Sequence, residues 1–283
     1  MASHLGGGPV ILGLSTSALW GSSDFTGGFA ARRTPPALLV SFAHALSLIL
    51  LLAACFLHHE ALDAASVRFG LLSGVAGGIG LMVLYRALSL GSMGIVAAIC
   101  GVITTVIPVI ASWILEGHAA PGKLVGFALA AVSIALISRT PSEHANSRAV
   151  GLAILAGFCF GGMLIAMRFG AGHSVLWTMV WTRAASTTIA LAATALLPAA
   201  SRSRAAFAAA LLPAILVGTL DTSGNLLYML ATLAGRMDVA TVLSALYPGT
   251  TMLLAIFILR EKATRTQAAG MALALAAVAL IAL

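Results

Sequence analysis

Charge is what this chain lacks most. Only 8% of its 283 residues are Asp, Glu, Lys or Arg, where a soluble domain carries about 25%, so a chain that faces water over most of its surface is excluded. Cysteine is scarce as well. Cys55, Cys100 and Cys159 each stand in an apolar run without Cys-x-x-Cys spacing and read as small packing residues. Catalytic signatures are missing: there is no Gly-x-Ser-x-Gly elbow, no His-Glu-x-x-His, no phosphate loop and no nucleotide-binding domain. Neither enzyme activity nor a cofactor or metal is expected. No basic patch sits on a soluble module, which argues against a nucleic-acid partner. The formal charge of +7 comes from loop arginines, suited to lipid headgroups and to topology control. The N-terminus lacks a basic lead-in and a small-residue cleavage site, so the first apolar run is expected to be retained as a span.

What fills the chain is apolar: 60% of residues are hydrophobic. A span needs about 20 such residues, and the polar breaks define ten runs, near 9–31, 36–57, 68–90, 93–115, 121–138, 149–170, 174–198, 208–233, 238–259 and 265–283. The expected fold is an all-α membrane protein of ten transmembrane helices. The stretch 72–136 recurs 144 positions later: Gly74 falls on Gly218, Ala87 on Ala231, Gly91 on Gly235, Met93 on Met237, Gly126 on Gly270 and Leu136 on Leu280. Glu116 meets Glu261 after a one-residue slip. The most polar stretch, Arg139 through Arg148, lies at the midpoint and divides the chain into repeats 1–140 and 141–283. Five spans per repeat is an odd number, so the second repeat enters the membrane the opposite way up. This predicts inverted repeats, termini on one side, and a substrate site between the halves near mid-bilayer. Loops after odd-numbered spans hold Arg32, Arg33, Arg139, Arg148, Arg202, Arg204, Arg260, Lys262 and Arg265, and loops after even-numbered spans hold Arg68, Lys123, Arg168 and Arg236. By positive-inside counting, both termini lie outside.

Ten spans as five plus five, Trp20-Gly21 in the first span with Phe160-Gly161 as its partner in the sixth, and Glu116 and Glu261 at the ends of spans four and nine resemble the EamA-type drug/metabolite transporters. The chain departs from that pattern at Gly117-His118, where the family more often shows a basic residue after the Glu. The resemblance implies export of metabolites or amino acids across the plasma (bacterial inner) membrane. It also implies a cavity formed mainly by spans one, three, four, six, eight and nine, and cytoplasmic termini, against the arginine count.

Ionisable groups inside spans are costly and point to function. Asp24, His44, Arg86, Arg183 and Asp221 are such groups. Helical rise puts Asp24 about 21 Å and Arg86 roughly 24–27 Å from the N-terminal side, and Asp221 and Arg183 both about 14–15 Å deep. Two pairs are expected, Asp24 with Arg86 and Asp221 with Arg183. Each either locks helices together or lets a carboxylate exchange between arginine, proton and substrate ammonium. His44 and Arg183 occupy matching places in spans two and seven, 139 positions apart. Asp221, Asn225 and Tyr228 share one face of span eight, with Thr222-Ser223 starting a second polar stripe. Thr104-Thr105 with Pro108 in span four matches Ser244 and Tyr247-Pro248 in span nine, and interrupted segments at matching places point to a transporter site. Trp20, about 17 Å deep, lies too far in for a belt residue and reads as an aromatic wall beside Ser23 and Asp24. Glu116 and Glu261, at span ends, read as capping groups.

The expected site is therefore Trp20, Ser23, Asp24, Tyr85, Thr104, Phe160, Asp221, Asn225, Tyr228, Ser244 and Tyr247, with Asp24, Arg86, Arg183 and Asp221 as ion-pair or coupling groups. The function expected is secondary transport, by alternating access, of amino acids or small amphipathic metabolites. One rival is a proton-coupled multidrug or quaternary-amine exporter, which requires a carboxylate free of arginine. The other is a membrane scaffold or receptor without a transport cycle. The expected partners are the bilayer, a small solute and protons, with no obligate protein partner.

Overall fold

A computed structural model describes residues 8–90, 93–137, 146–258 and 264–282. It consists of helices, with no strand among the described residues. They are α1 (Gly8–Ala30), α2 (Pro36–His58), α3 (Ala64–Leu90), α4 (Met93–Glu116), α5 (Pro121–Ile137), α6 (Ser147–Ala171), α7 (Val175–Ala195), α8 (Arg204–Ala234), α9 (Met237–Ser244), α10 (Tyr247–Ile258) and α11 (Arg265–Ala282), with one 3-10 turn at Ala199–Arg202. Among the described residues, six stretches are long and apolar enough to cross a membrane: Pro36–His58, Ala64–Leu90, Ile99–Glu116, Ser147–Ala171, Arg204–Ala234 and Met237–Ile258. Glu261, Lys262, Arg260 and the stretch 139–145 lie outside the described residues.

Local chemistry sets the helix ends. Pro36 opens α2 at the first helical position, where its missing N–H costs nothing. Asn146, Ser174 and Ser203 accept from the backbone N–H groups of Arg148, Trp177 and Ala206 and so start α6, α7 and α8. Gly117, at φ 77°, ends α4 in the left-handed conformation.

Spans four and nine were both expected to be interrupted, and they differ. α4 runs through Pro108 without a break, whereas α9 stops at Ser244 and α10 restarts at Tyr247. Pro108 removes one hydrogen bond. The second site carries Pro248 followed directly by Gly249, which adds glycine's low helix propensity to the same lost bond.

The helices pack in a reciprocal pattern. α3 lies against α6 and α7, and α8 lies against α1 and α2. α4 packs on α6, and α9 and α10 pack on α1. α2 faces α7, and α5 faces α11. Close approach needs glycine at two points. A Cβ on Gly74 of α3 would strike the Thr182 carbonyl of α7, and one on Gly218 of α8 would strike the Ala43 carbonyl of α2.

Candidate functional site

A narrow cavity of about 60 Å³ lies at the centre of the bundle, with room for a few water molecules. Trp20 and Asp24 reach it from α1, His44 from α2, Gly77, Gly78 and Leu81 from α3, and Thr104 from α4. From the other half come Phe160, Met163 and Leu164 of α6, Thr182, Arg183 and Ser186 of α7, Asp221 and Asn225 of α8, and Tyr247 of α10.

One wall is a continuous polar network. The Arg183 side chain is 2% exposed, and its three nitrogens each have a partner. Nη2 donates to Asp221 Oδ2 at 2.6 Å, Nη1 to His44 Nε2 at 3.0 Å, and Nε to Thr222 Oγ1 at 3.1 Å. A guanidinium can only donate, so His44 Nε2 accepts and the ring proton of this histidine sits on Nδ1. Asn225 Nδ2 donates to the same Asp221 oxygen at 3.3 Å, and Trp20 Nε1 donates to Asn225 Oδ1 at 3.0 Å. Residues from α1, α2, α7 and α8 are thus bound into one chain of contacts around Asp221.

The opposite wall is unsaturated. Asp24 faces the cavity and has no ion pair and no side-chain hydrogen bond among the described residues. The expected Asp24–Arg86 pair does not form. Arg86 is exposed on the outer face of α3, one residue beyond the fully buried Tyr85. Equal depth sets the height of a residue on its helix but not the direction of its side chain, and consecutive residues point about 100° apart.

Seven of the eleven expected substrate-site residues line the cavity: Trp20, Asp24, Thr104, Phe160, Asp221, Asn225 and Tyr247. The other four do not. Ser23 reaches the Val217 carbonyl at 3.5 Å, and Ser244 the Gly13 carbonyl at 3.5 Å. Tyr85 is buried with its ring end against Gly27. Tyr228 lies behind Trp20, ring centroids 5.7 Å apart, and shares a hydrogen bond of 3.0 Å with Thr241. These four support the lining residues from the layer behind them.

Sequence reasoning missed Thr182, Ser186, Met163, Leu81 and Leu164 as lining residues, and it left spans two and seven out of the cavity. The spacing of Thr182, Arg183 and Ser186 puts them on one side of α7 and was the available signal.

Known proteins bear on this arrangement in two ways. Residues 147–283 match the model of the EamA-like transporter family. The match makes the second half transporter-like, and the cavity is the place to look for a solute. Among 26 solved chains that match in structure, one crystal structure superposes on 96% of this chain and 95% of its own, with a TM-score of 0.74 at 16% identity. That likeness shows a shared fold over nearly the whole chain, including most of the half before residue 147. No curated protein matches the sequence.

Proposed function

We propose that this protein is a secondary active transporter that moves small amphipathic metabolites bearing an amine, amino acids among them, by alternating access through the central cavity. The observation that carries the reading is Asp24. A half-buried carboxylate that no described protein group meets is open to a charged partner, and a solute ammonium or a proton would satisfy it. Counted with Asp221, Arg183 and a neutral His44, the cavity holds one net negative charge. Trp20, Phe160 and Tyr247 supply apolar surface for the rest of the solute. The narrowness of the cavity favours a small solute over a bulky drug.

Ten spans in two inverted repeats, 1–140 and 141–283, fit the packing. Exchanging the first five segments with the second five turns the α3 contacts with α6 and α7 into the α8 contacts with α1 and α2. Gly74 and Gly218, matched at 144 positions, rest on Thr182 and Ala43, which differ by the same 139 positions as Arg183 and His44. We take the carrier to sit in a bacterial inner membrane with both termini on one side, in contact with lipid, solute and protons, and to export.

A second reading is favoured by the same free carboxylate: a proton-coupled quaternary-amine or multidrug exporter with Asp24 as cation site. Counterflow in proteoliposomes separates the two. Liposomes loaded with a mixed amino-acid pool should take up labelled amino acid, and Asp24→Asn and Trp20→Ala should each abolish uptake. Exchange of tetraphenylphosphonium but of no amino acid would favour the exporter. Exchange of neither, with one unchanging conformation, would point to a scaffold.

A further inference from the structure

Away from the cavity, the ends of α4 and α9 cap each other. The last carbonyls of a helix have no partner within it, and those of α4 are met by Arg236, in the turn before α9. Its Nη1 donates to the Glu116 carbonyl at 3.2 Å and its Nη2 to the Gly117 carbonyl at 2.6 Å. The guanidinium also sits at the negative end of the α4 dipole. α9, for its part, begins without a side-chain cap of its own. Its first N–H groups use α4 instead: Met237 N donates to Glu116 Oε2 at 3.1 Å and Asp238 N to Ser112 Oγ at 3.3 Å. The Ser112 hydroxyl donates to Glu116 Oε2 at 2.8 Å. Asp238, fully buried, grips Arg236 through both oxygens, at 3.1 and 2.8 Å. Arg168 of α6 stands 3.8 Å from Glu116. Pro9 packs on Gly235, so the whole arrangement lies at the face where α1 begins.

None of these groups lines the cavity. The internal repeat shows that they are not simply part of the scaffold. Shifted by 144 positions, Arg236 and Asp238 correspond to Ser92 and Gly94, and only Glu116 has a like residue, Glu261. The arginine–aspartate half of the arrangement is therefore encoded at one face of the bundle alone.

We propose that Ser112, Glu116, Arg236 and Asp238 form a one-sided latch that holds α4 to α9 while the cavity is shut toward the N-terminal face and parts when it opens there. This rests on the alternating-access reading. α9 has eight residues and is separated from α10 by the turn at 245–246, so it can tilt about that break. Once parted, the two helix ends and the three charged side chains are left to water entering from the opened face. Weakening the latch therefore penalises the shut state and not the open one.

The test needs no knowledge of the solute. Cys55, Cys100 and Cys159 are replaced by Ser, and one cysteine is placed in the cavity by Thr104→Cys. Its modification by the impermeant reagent 2-(trimethylammonium)ethyl methanethiosulfonate is timed from each face of proteoliposomes, with a tag marking the N-terminal face. Glu116→Gln and Arg236→Gln should each speed modification from that face about tenfold and slow it from the other, as a shift between two states requires. Arg236→Lys, which keeps a donor, should fall between. Unchanged rates at both faces would overturn the latch and leave alternating access standing. Faster modification from both faces would mean a loosened bundle and would overturn it too. No modification from the N-terminal face in any variant would overturn both.

Discussion

Two carboxylates line one cavity and are handled in opposite ways. Asp221, on the α7–α8 wall, accepts from Arg183 and Asn225 and lies 3.7 Å from His44. Asp24, on the α1 wall, has no such partner among the described residues. Burial of charge therefore does not by itself identify a binding group. A carboxylate held by an arginine and an amide of the protein is part of the architecture, and one left open is available to a solute. On this view Arg183 and Asp221 hold α2, α7 and α8 in register, and Asp24 does the binding.

The largest effect that would break this contrast is on stability. Arg183→Ala strips Asp221 of its counter-charge and His44 of its donor. Removing one partner of a buried pair costs about 3–5 kcal/mol, a fall in unfolding temperature of roughly 10 °C at about 2–4 °C per kcal/mol. Thermal unfolding in detergent measures it. The double replacement Arg183→Leu with Asp221→Leu should recover most of the loss, because it leaves no unpaired charge. Asp24→Asn, by contrast, should leave the unfolding temperature within about 2 °C of wild type while abolishing counterflow. If Arg183→Ala unfolds no earlier than wild type, the Arg183–Asp221 wall is not structural and the contrast fails.

A smaller effect sharpens it. Trp20 joins the two walls, since its indole N–H is bound to Asn225 while its ring lies over Tyr228 and faces the cavity. Trp20→Phe keeps most of the apolar ring and gives up one hydrogen bond, worth about 1 kcal/mol. Uptake at saturating solute should persist with apparent affinity weakened about fivefold, whereas Trp20→Ala should lose uptake. Equal loss in both variants would mean that the indole N–H, through Asn225, matters more than the ring.

The apolar segments were legible because a bilayer leaves the backbone no other solution: each run must satisfy its own hydrogen bonds as a helix. The place of Arg183 opposite Asp221 was legible for a related reason. Both stand near mid-depth, where a charge has no solvent to turn to, and His44 repeats the position of Arg183 in the other half. What stayed hidden depends on helix rotation and on contacts distant in sequence. Ser23 and Asp24 are neighbours, yet only Asp24 faces the cavity. Glu116 could be read as a capping group, but nothing local says that the helix it caps begins 121 residues later at Met237.

The smallest effect concerns the pairing that did not form. Arg86 is exposed near the end of α3, where a long side chain can carry its charge toward the headgroups. Arg86→Gln removes a charge that holds no ion pair among the described residues, so its cost should stay within about 0.5 kcal/mol and uptake should match wild type. The informative experiment is the pair of variants. If Arg86→Gln abolished uptake and Arg86→Lys, which keeps the charge, retained it, Arg86 and Asp24 would meet in another state of the cycle. Asp24 would then be a group shared between an arginine and the solute, and the line between a filled wall and an open one would mark a moment in the cycle and not a division of labour.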